Sequence, residues 1–133
     1  MKRTFRILCL LILLFSFTAC QKKKLILEVT VTYWSGVDPG EAGYPFEVFV
    51  YKVEEGTIIE IPMKYFYDSL TITITSLTDS KIEFDTSEAL CIKAGEGDPL
   101  NIASETFAFS TNTPFTLVSP TMDAGVVFEF VIK

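Results

Sequence analysis

The sequence predicts an all-β protein, built as a two-sheet antiparallel β-sandwich of the immunoglobulin-like type. Short segments in which apolar and polar residues alternate recur along the chain, and such alternation is typical of half-buried strands. Turn residues separate these segments at short intervals, as they do in sandwiches and small barrels. No window carries the apolar spacing of an amphipathic helix. A chain of 133 residues allows one domain, which would bury about 65% of its unfolded surface.

The first strands are predicted where the alternation begins, at Leu25, and continue through residues 27–33. Residues 45–53 (PFEVFVYKV) are rich in aromatic and β-branched side chains, which favour strands. A Glu-Glu-Gly sequence ends that segment, and residues 57–61 follow directly. A short connection that contains glycine is typical of a β-hairpin, so we expect these two strands to pair with each other.

Further strands are predicted over 69–76, 81–86, 90–93, 105–110, 115–119 and 126–132. Because strand side chains alternate between the two faces, each segment has one set of residues that faces the core. The expected inward residues are Leu70, Ile72, Ile74, Ile82, Phe84, Val126, Phe128, Phe130 and Ile132. These side chains are bulky, which suits a core between two sheets. The sequence lacks the Cys, Trp and Cys spacing of a true immunoglobulin domain.

The first 20 residues have the composition of a secretory signal. The first six carry three positive charges, residues 7–15 are uninterrupted apolar residues, and residues 16–19 then shift toward small side chains before Cys20. A transmembrane helix needs about 20 apolar residues, so this run is too short to span a bilayer. A retained membrane anchor is the alternative interpretation.

The sequence Phe17-Thr18-Ala19-Cys20 resembles the lipobox of bacterial lipoproteins, with Phe17 where most lipoboxes have an aliphatic residue. The resemblance implies cleavage before Cys20 and acylation of this cysteine, for example with palmitate. The domain boundaries are then a signal peptide at 1–19, a lipidated cysteine with a short basic tether at 20–24, and one β-sandwich domain at 25–133. An ordinary signal peptide with an incidental cysteine is the alternative.

The tether would hold the domain close to the membrane of a Gram-negative bacterium. Leu25 comes five residues after Cys20, which allows about 17 Å at full extension. Removal of 1–19 leaves 8 basic and 17 acidic residues, so the net charge changes from −6 to −9, with Lys22, Lys23 and Lys24 at the membrane. The N-terminus resembles that of a small outer-membrane lipoprotein of the Bacteroidetes type. Gln21 is not aspartate, so the resemblance implies the outer membrane. No acidic residue follows Cys20 at once, which favours the periplasmic face of that membrane, with the cell surface as the alternative.

The composition argues against catalysis. The chain has no histidine, which removes the commonest general base and the commonest metal ligand. It also has no nucleophile-elbow glycine pattern, no phosphate-binding glycine loop and no cluster of metal ligands. Its acidity disfavours nucleic acid as a partner. We therefore expect no enzyme, no cofactor and no metal, and we expect Cys91, inside an apolar run, to be a buried and inert thiol.

Four aromatic residues are candidate binding residues. Trp34 and Tyr44 flank the longest predicted loop, and such residues stack on sugars or anchor protein partners. Tyr65 and Tyr67 belong to a run of three aromatics, of which at least one must be exposed on a strand. Packing at the end of the core is the alternative for Trp34 and Tyr44, and a crossover between sheets is the alternative for the tyrosine run. The acidic residues around Glu96 and Asp98 are interpreted as solvated surface.

Together these observations predict a lipid-anchored cell-envelope protein with a non-catalytic binding or accessory role toward another envelope protein or a glycan. Two alternatives stay open. One is a small inhibitor or immunity-type protein that blocks a hydrolase through its loops, and the other is a carbohydrate-binding module.

Overall fold

The computed structural model describes residues 22–37, 39–64, 69–93, 102–121 and 124–133, and within these ranges the protein is all-β. The elements are β1 (Leu25–Ser35), a 3₁₀ turn (Gly40–Ala42), β2 (Phe46–Val53), β3 (Ile58–Ile61), β4 (Leu70–Leu77), β5 (Lys81–Ile92), β6 (Ser104–Ser110), β7 (Phe115–Val118) and β8 (Ala124–Ile132). The predicted all-β class is confirmed. The segments predicted at 81–86 and 90–93 form one strand, β5.

The strands form an antiparallel sheet that curls into a nearly closed barrel. Its order is β2-β1-β8-β7-β5-β4-β3, and β6 pairs with β5 outside this path. β5 forms a corner at which the sheet bends. Its first half pairs with β4 and β6, while Cys91 and Ile92 near its end pair with β7. The register against β6 shifts between Asp85 and Leu90, and an irregularity of this kind lets a strand bend.

The barrel has a seam where β2 and β3, the two ends of the path, face each other. The predicted hairpin between residues 45–53 and 57–61 is wrong, because β2 pairs with β1 and β3 pairs with β4. The turn between them is tight, with the Thr57 N–H donating to the Glu54 carbonyl at 3.0 Å, but the Gly56 N–H then donates to the Ile74 carbonyl of β4 at 2.8 Å. That bond directs the chain onto β4. The Tyr51 hydroxyl bridges the seam by donating to the carbonyl oxygen of Glu60 at 3.0 Å.

The core lies inside the barrel and is filled by the residues that alternation assigns to it. The predicted inward residues from Leu70 to Phe130 are buried, and Ile132 packs against them at the edge. Phe84 of β5 lies at the centre. Its ring centroid is 5.9 Å from those of both Phe115 and Phe130, which belong to strands on the other side of the corner. The aromatic contacts therefore hold the two halves of the curled sheet together.

Candidate functional site

An exposed apolar face lies on the outer side of β2. In this strand Phe49 and Tyr51 pack against the core, so the alternate residues must point to solvent. These residues are Phe46, Val48 and Val50, which are 65%, 50% and 61% exposed. We call these three residues the β2 face. Contiguous exposed apolar residues are uncommon on monomeric proteins and mark interaction sites.

The β2 face continues across the sheet toward the only tryptophan of the chain. Directly opposite residues of paired strands share one side of a sheet. Phe46 is opposite Thr32, Thr32 is opposite Val127, and Val127 is opposite Val118. Val127 and Val118 line a cavity of about 510 Å³ together with Trp34. We call this the Trp34 cavity, and it lies on the same outer side as the β2 face.

Trp34 is held in strand β1 and is half-buried. Its partner across the ladder is Gly125, where an added Cβ would come within 3.0 Å of the indole Nε1. The indole therefore lies against the space that a side chain at Gly125 would fill. Lys93 and Pro120 also line the cavity, and Lys93 is exposed.

A small hydrogen-bond network fixes the wall of the Trp34 cavity. The Ser119 hydroxyl accepts from the Val126 N–H at 2.9 Å, and the Ser119 N–H donates to the Val126 carbonyl at 3.0 Å. The Ser119 and Thr121 hydroxyls are 3.1 Å apart, and the Thr121 hydroxyl donates to the Ala124 carbonyl. These hydrogen bonds therefore fix residues 119–121 against the start of β8.

A second cavity of about 430 Å³ has that same segment as part of its wall. Its walls include Met63, Leu70, Leu90 and Phe128, and Glu88 supplies a carboxylate. Ser119, Pro120 and Thr121 line both cavities. The three-residue segment thus separates an outer cavity from one that reaches the core.

Tyr44 has a different setting from Trp34. Its hydroxyl lies 2.7 Å from the Ser35 carbonyl and 3.1 Å from the Val37 carbonyl, so it ties the loop back to the end of β1. Gly43, beside it, has a φ of 67°, a conformation that favours glycine. Tyr44 does not line the Trp34 cavity among the described residues. Its hydroxyl is engaged within the loop.

The seam beside the β2 face carries two tyrosine bridges. The Tyr33 hydroxyl donates to Glu47 at 3.1 Å and accepts from the Lys64 N–H at 2.9 Å. Burial raises the pKa of Tyr51 above its ordinary value of 10.0, and the nearby Glu60 carboxylate raises it further. The Tyr51 hydroxyl therefore links β2 to Glu60 of β3, and the Tyr33 hydroxyl links β1 to Glu47 of β2 and to Lys64 after β3.

Several predicted residues lie outside the part of the chain that the structure describes. These are the signal peptide, Cys20, Tyr65, Tyr67, Glu96 and Asp98. Conversely, sequence reasoning missed the β2 face. A signal was present, because residues 46–51 are apolar at both alternating sets of positions except Glu47, so one set had to remain outside the core.

Comparisons with protein-family models, with curated proteins and with solved structures found no match to this chain.

Within the described ranges, no helix is long and apolar enough to cross a membrane. Over the same ranges, no group of three or more His, Cys, Asp and Glu side chains is placed to hold a metal ion. Cys91 is buried, on the strand end that pairs with β7.

Proposed function

We propose that this chain is a lipid-anchored binding protein of the bacterial cell envelope, with no catalytic step of its own. Cys20 would carry the lipid, and residues 20–24 would form the tether. The domain would face the periplasm from the outer membrane. The proposal takes its localisation from the resemblance of the N-terminus to lipoproteins and its binding role from the β2 face.

The β2 face is the observation that carries the binding role. A solvent-exposed strand of a monomeric protein normally carries polar residues on its outer side. Here three successive outward residues are apolar and half or more exposed, and the Trp34 cavity lies on the same outer side of the sheet. Covering them with a partner would remove apolar surface from water at about 25 cal/mol per Å². A protein partner fits this surface better than a glycan, because sugars need polar groups beside an aromatic ring.

We also propose that the strands pack in two layers in the immunoglobulin-like manner. In support, β5 bends between two sets of strands, and Phe84 meets Phe130 across the interior at 5.9 Å. Such a scaffold presents edges and outer faces for binding while its core stays closed.

Affinity purification from membranes tests the proposal. The full chain is compared with Val48→Lys, which places a charge on the β2 face, and with Ile102→Lys, a matched change at a residue that is 83% exposed and outside the strands. We expect one envelope protein to co-purify with the full chain and with Ile102→Lys but not with Val48→Lys. Equal recovery with all three would contradict the role of the β2 face.

A glycan is the second candidate, and the Trp34 cavity favours it. The indole, the Ser119 and Thr121 hydroxyls and Lys93 meet there, which combines a stacking ring with polar groups. The measurement is retention on immobilised peptidoglycan fragments. If the glycan is the ligand, Trp34→Ala abolishes retention and Val48→Lys leaves it unchanged, which is the reverse of the result expected for a protein partner. The inhibitor alternative would place the contact with the hydrolase on the loop between β1 and β2, which Tyr44 ties to the end of β1. Deleting that loop would then abolish inhibition, whereas a protein partner on the β2 face and a glycan in the Trp34 cavity would still bind.

A further inference from the structure

The β2 face is one side of a wider outer surface of the sheet. Val48 is opposite Thr30, and Thr30 is opposite Glu129 of β8. Glu129 is opposite Thr116 of β7, so this row of side chains crosses four strands, which span about 14 Å. We call the whole surface the four-strand face, and each of its residues is at least partly exposed. Its members are Phe46, Val48, Val50, Glu28, Thr30, Thr32, Val127, Glu129, Val131, Thr116 and Val118.

A stable protein contact needs more surface than the β2 face supplies. Such contacts cover about 800 Å² on each partner, whereas the β2 face consists of three side chains. From β2 the sheet continues into β1 and β8 without a shift in register, and at Val118 and Val127 it reaches the Trp34 cavity. A protein that binds the β2 face stably is therefore expected to cover β1 and β8 as well.

Two glutamates are the only charged residues of the four-strand face, and they differ in their surroundings. The Glu28 carboxylate accepts a hydrogen bond from the Lys133 ammonium group at 2.6 Å. Among the described residues, none of the ion pairs includes Glu129. Glu129 lies between Thr30 and Thr116 across the sheet, and it alternates with two valines along β8. The four-strand face therefore carries one unpaired carboxylate near its middle.

Asp85 shows what an ordinary exposed carboxylate looks like on the other half of the sheet. It too is exposed and lies between threonines of the two neighbouring strands. The alternate residues along its own strand are Glu83 and Ser87, so its surroundings are polar. Glu129 has valines in the same places. A partner that covers these valines also removes the water around Glu129, and burying an unpaired carboxylate is costly unless a cation replaces that water.

We propose that the four-strand face is one binding surface, and that its partner is a protein whose apolar patch carries a basic side chain opposite Glu129. The apolar patch would cover the valines and threonines of the face, and the basic side chain would pair with the carboxylate. A second copy of this chain does not fit, because in an isologous dimer the same face meets itself and brings two unpaired carboxylates together. This inference rests on the proposed function and specifies the footprint and the chemistry of the partner.

Photo-crosslinking of the full chain in living cells tests the footprint. A benzophenone amino acid is placed at Val48, at Thr116 on the far side of Glu129, or at Ala108, an exposed residue of β6 on the other half of the sheet. We expect Val48 and Thr116 to capture the same protein, identified by mass spectrometry, and Ala108 not to capture it. Capture from Val48 without capture from Thr116 would overturn the four-strand footprint.

Charge variants test the basic side chain, with capture from Val48 as the readout. Glu129→Lys reverses the charge, Glu129→Gln removes it at nearly the same shape, and Asp85→Lys is the matched control. We expect Glu129→Lys to lower capture at least about tenfold and Glu129→Gln to lower it about fivefold, because a charged hydrogen bond is about twice as strong as a neutral one. Asp85→Lys should leave capture within about twofold.

Full capture by Glu129→Gln would overturn the pairing with a cation, even if Glu129→Lys fails to fold. A dimer of the full chain that sediments in a neutral detergent and is dissociated by Val48→Lys would also overturn the proposal, because a second copy would then occupy the face. Failure of this inference is distinguishable from failure of the proposed function. A partner that Val48→Lys loses but both Glu129 variants retain would support the β2 face and refute the role of Glu129, whereas no capture from Val48 would contradict both.

Discussion

Replacing Gly125 by alanine is expected to lower the free energy of unfolding by about 2–3 kcal/mol. An ideal Cβ at this position would overlap the Ser119 hydroxyl, lie 2.5 Å from the Thr121 hydroxyl and lie 3.0 Å from the Trp34 indole nitrogen. Ser119 cannot swing away without losing its bond from the Val126 N–H. Overpacking costs about 1–3 kcal/mol and a lost hydrogen bond about 1 kcal/mol, while alanine in place of glycine returns about 0.5–1 kcal/mol in a strand.

The assay is urea unfolding of the full chain, followed by the fluorescence of Trp34. Ser119→Ala removes the hydroxyl that the new Cβ would meet, so we expect the double variant to be less destabilised than the sum of the two single variants. A Gly125→Ala protein as stable as the parent, or strict additivity, would refute the close packing of Trp34, Gly125 and Ser119.

Three further outcomes are expected. Cys20→Ala should lose acyl labelling and leave the membrane fraction, and a variant that stays in the membrane with unchanged mass would contradict the lipobox interpretation. Phe84→Ala should cost about 3–5 kcal/mol in urea unfolding, because its buried ring contacts both halves of the sheet. Since the pKa of Tyr51 is raised in the folded state, its contribution is present below the unfolded pKa of 10.0 and is lost as pH rises through the higher folded pKa. Tyr51→Phe should therefore cost about 0.5–1.5 kcal/mol at neutral pH, through the lost bond to Glu60, and should flatten the decline in stability at high pH.

Alternation in the sequence was enough to place the strands and their inward residues. It succeeds for Ile72, Ile74, Phe128 and Phe130 because burial on one face and solvent on the other impose a period of two. It fails at the pairing of β2 with β3, where local glycine-containing turn chemistry predicts a hairpin. The bond from the Gly56 N–H to the Ile74 carbonyl decides otherwise, and such a contact between distant residues leaves no local sequence signal.

The candidate site was only half predictable. Trp34 is conspicuous as the single tryptophan, but its cavity depends on Val118 and Val127, which only the register brings beside it. Likewise, the two apolar sides of residues 46–51 predict that one side stays exposed. Which side it is depends on how β2 pairs with β1 and on the position of β2 at the edge of the sheet.

Photo-crosslinking in living cells tests whether the β2 face contacts an envelope protein. A benzophenone amino acid is placed at Val48, on the β2 face, or at Ile102, which is more exposed than Val48 and lies outside the strands. We expect a crosslink between Val48 and one envelope protein, and no such crosslink from Ile102. The same crosslink from both positions, or none from Val48, would contradict a binding role for the β2 face.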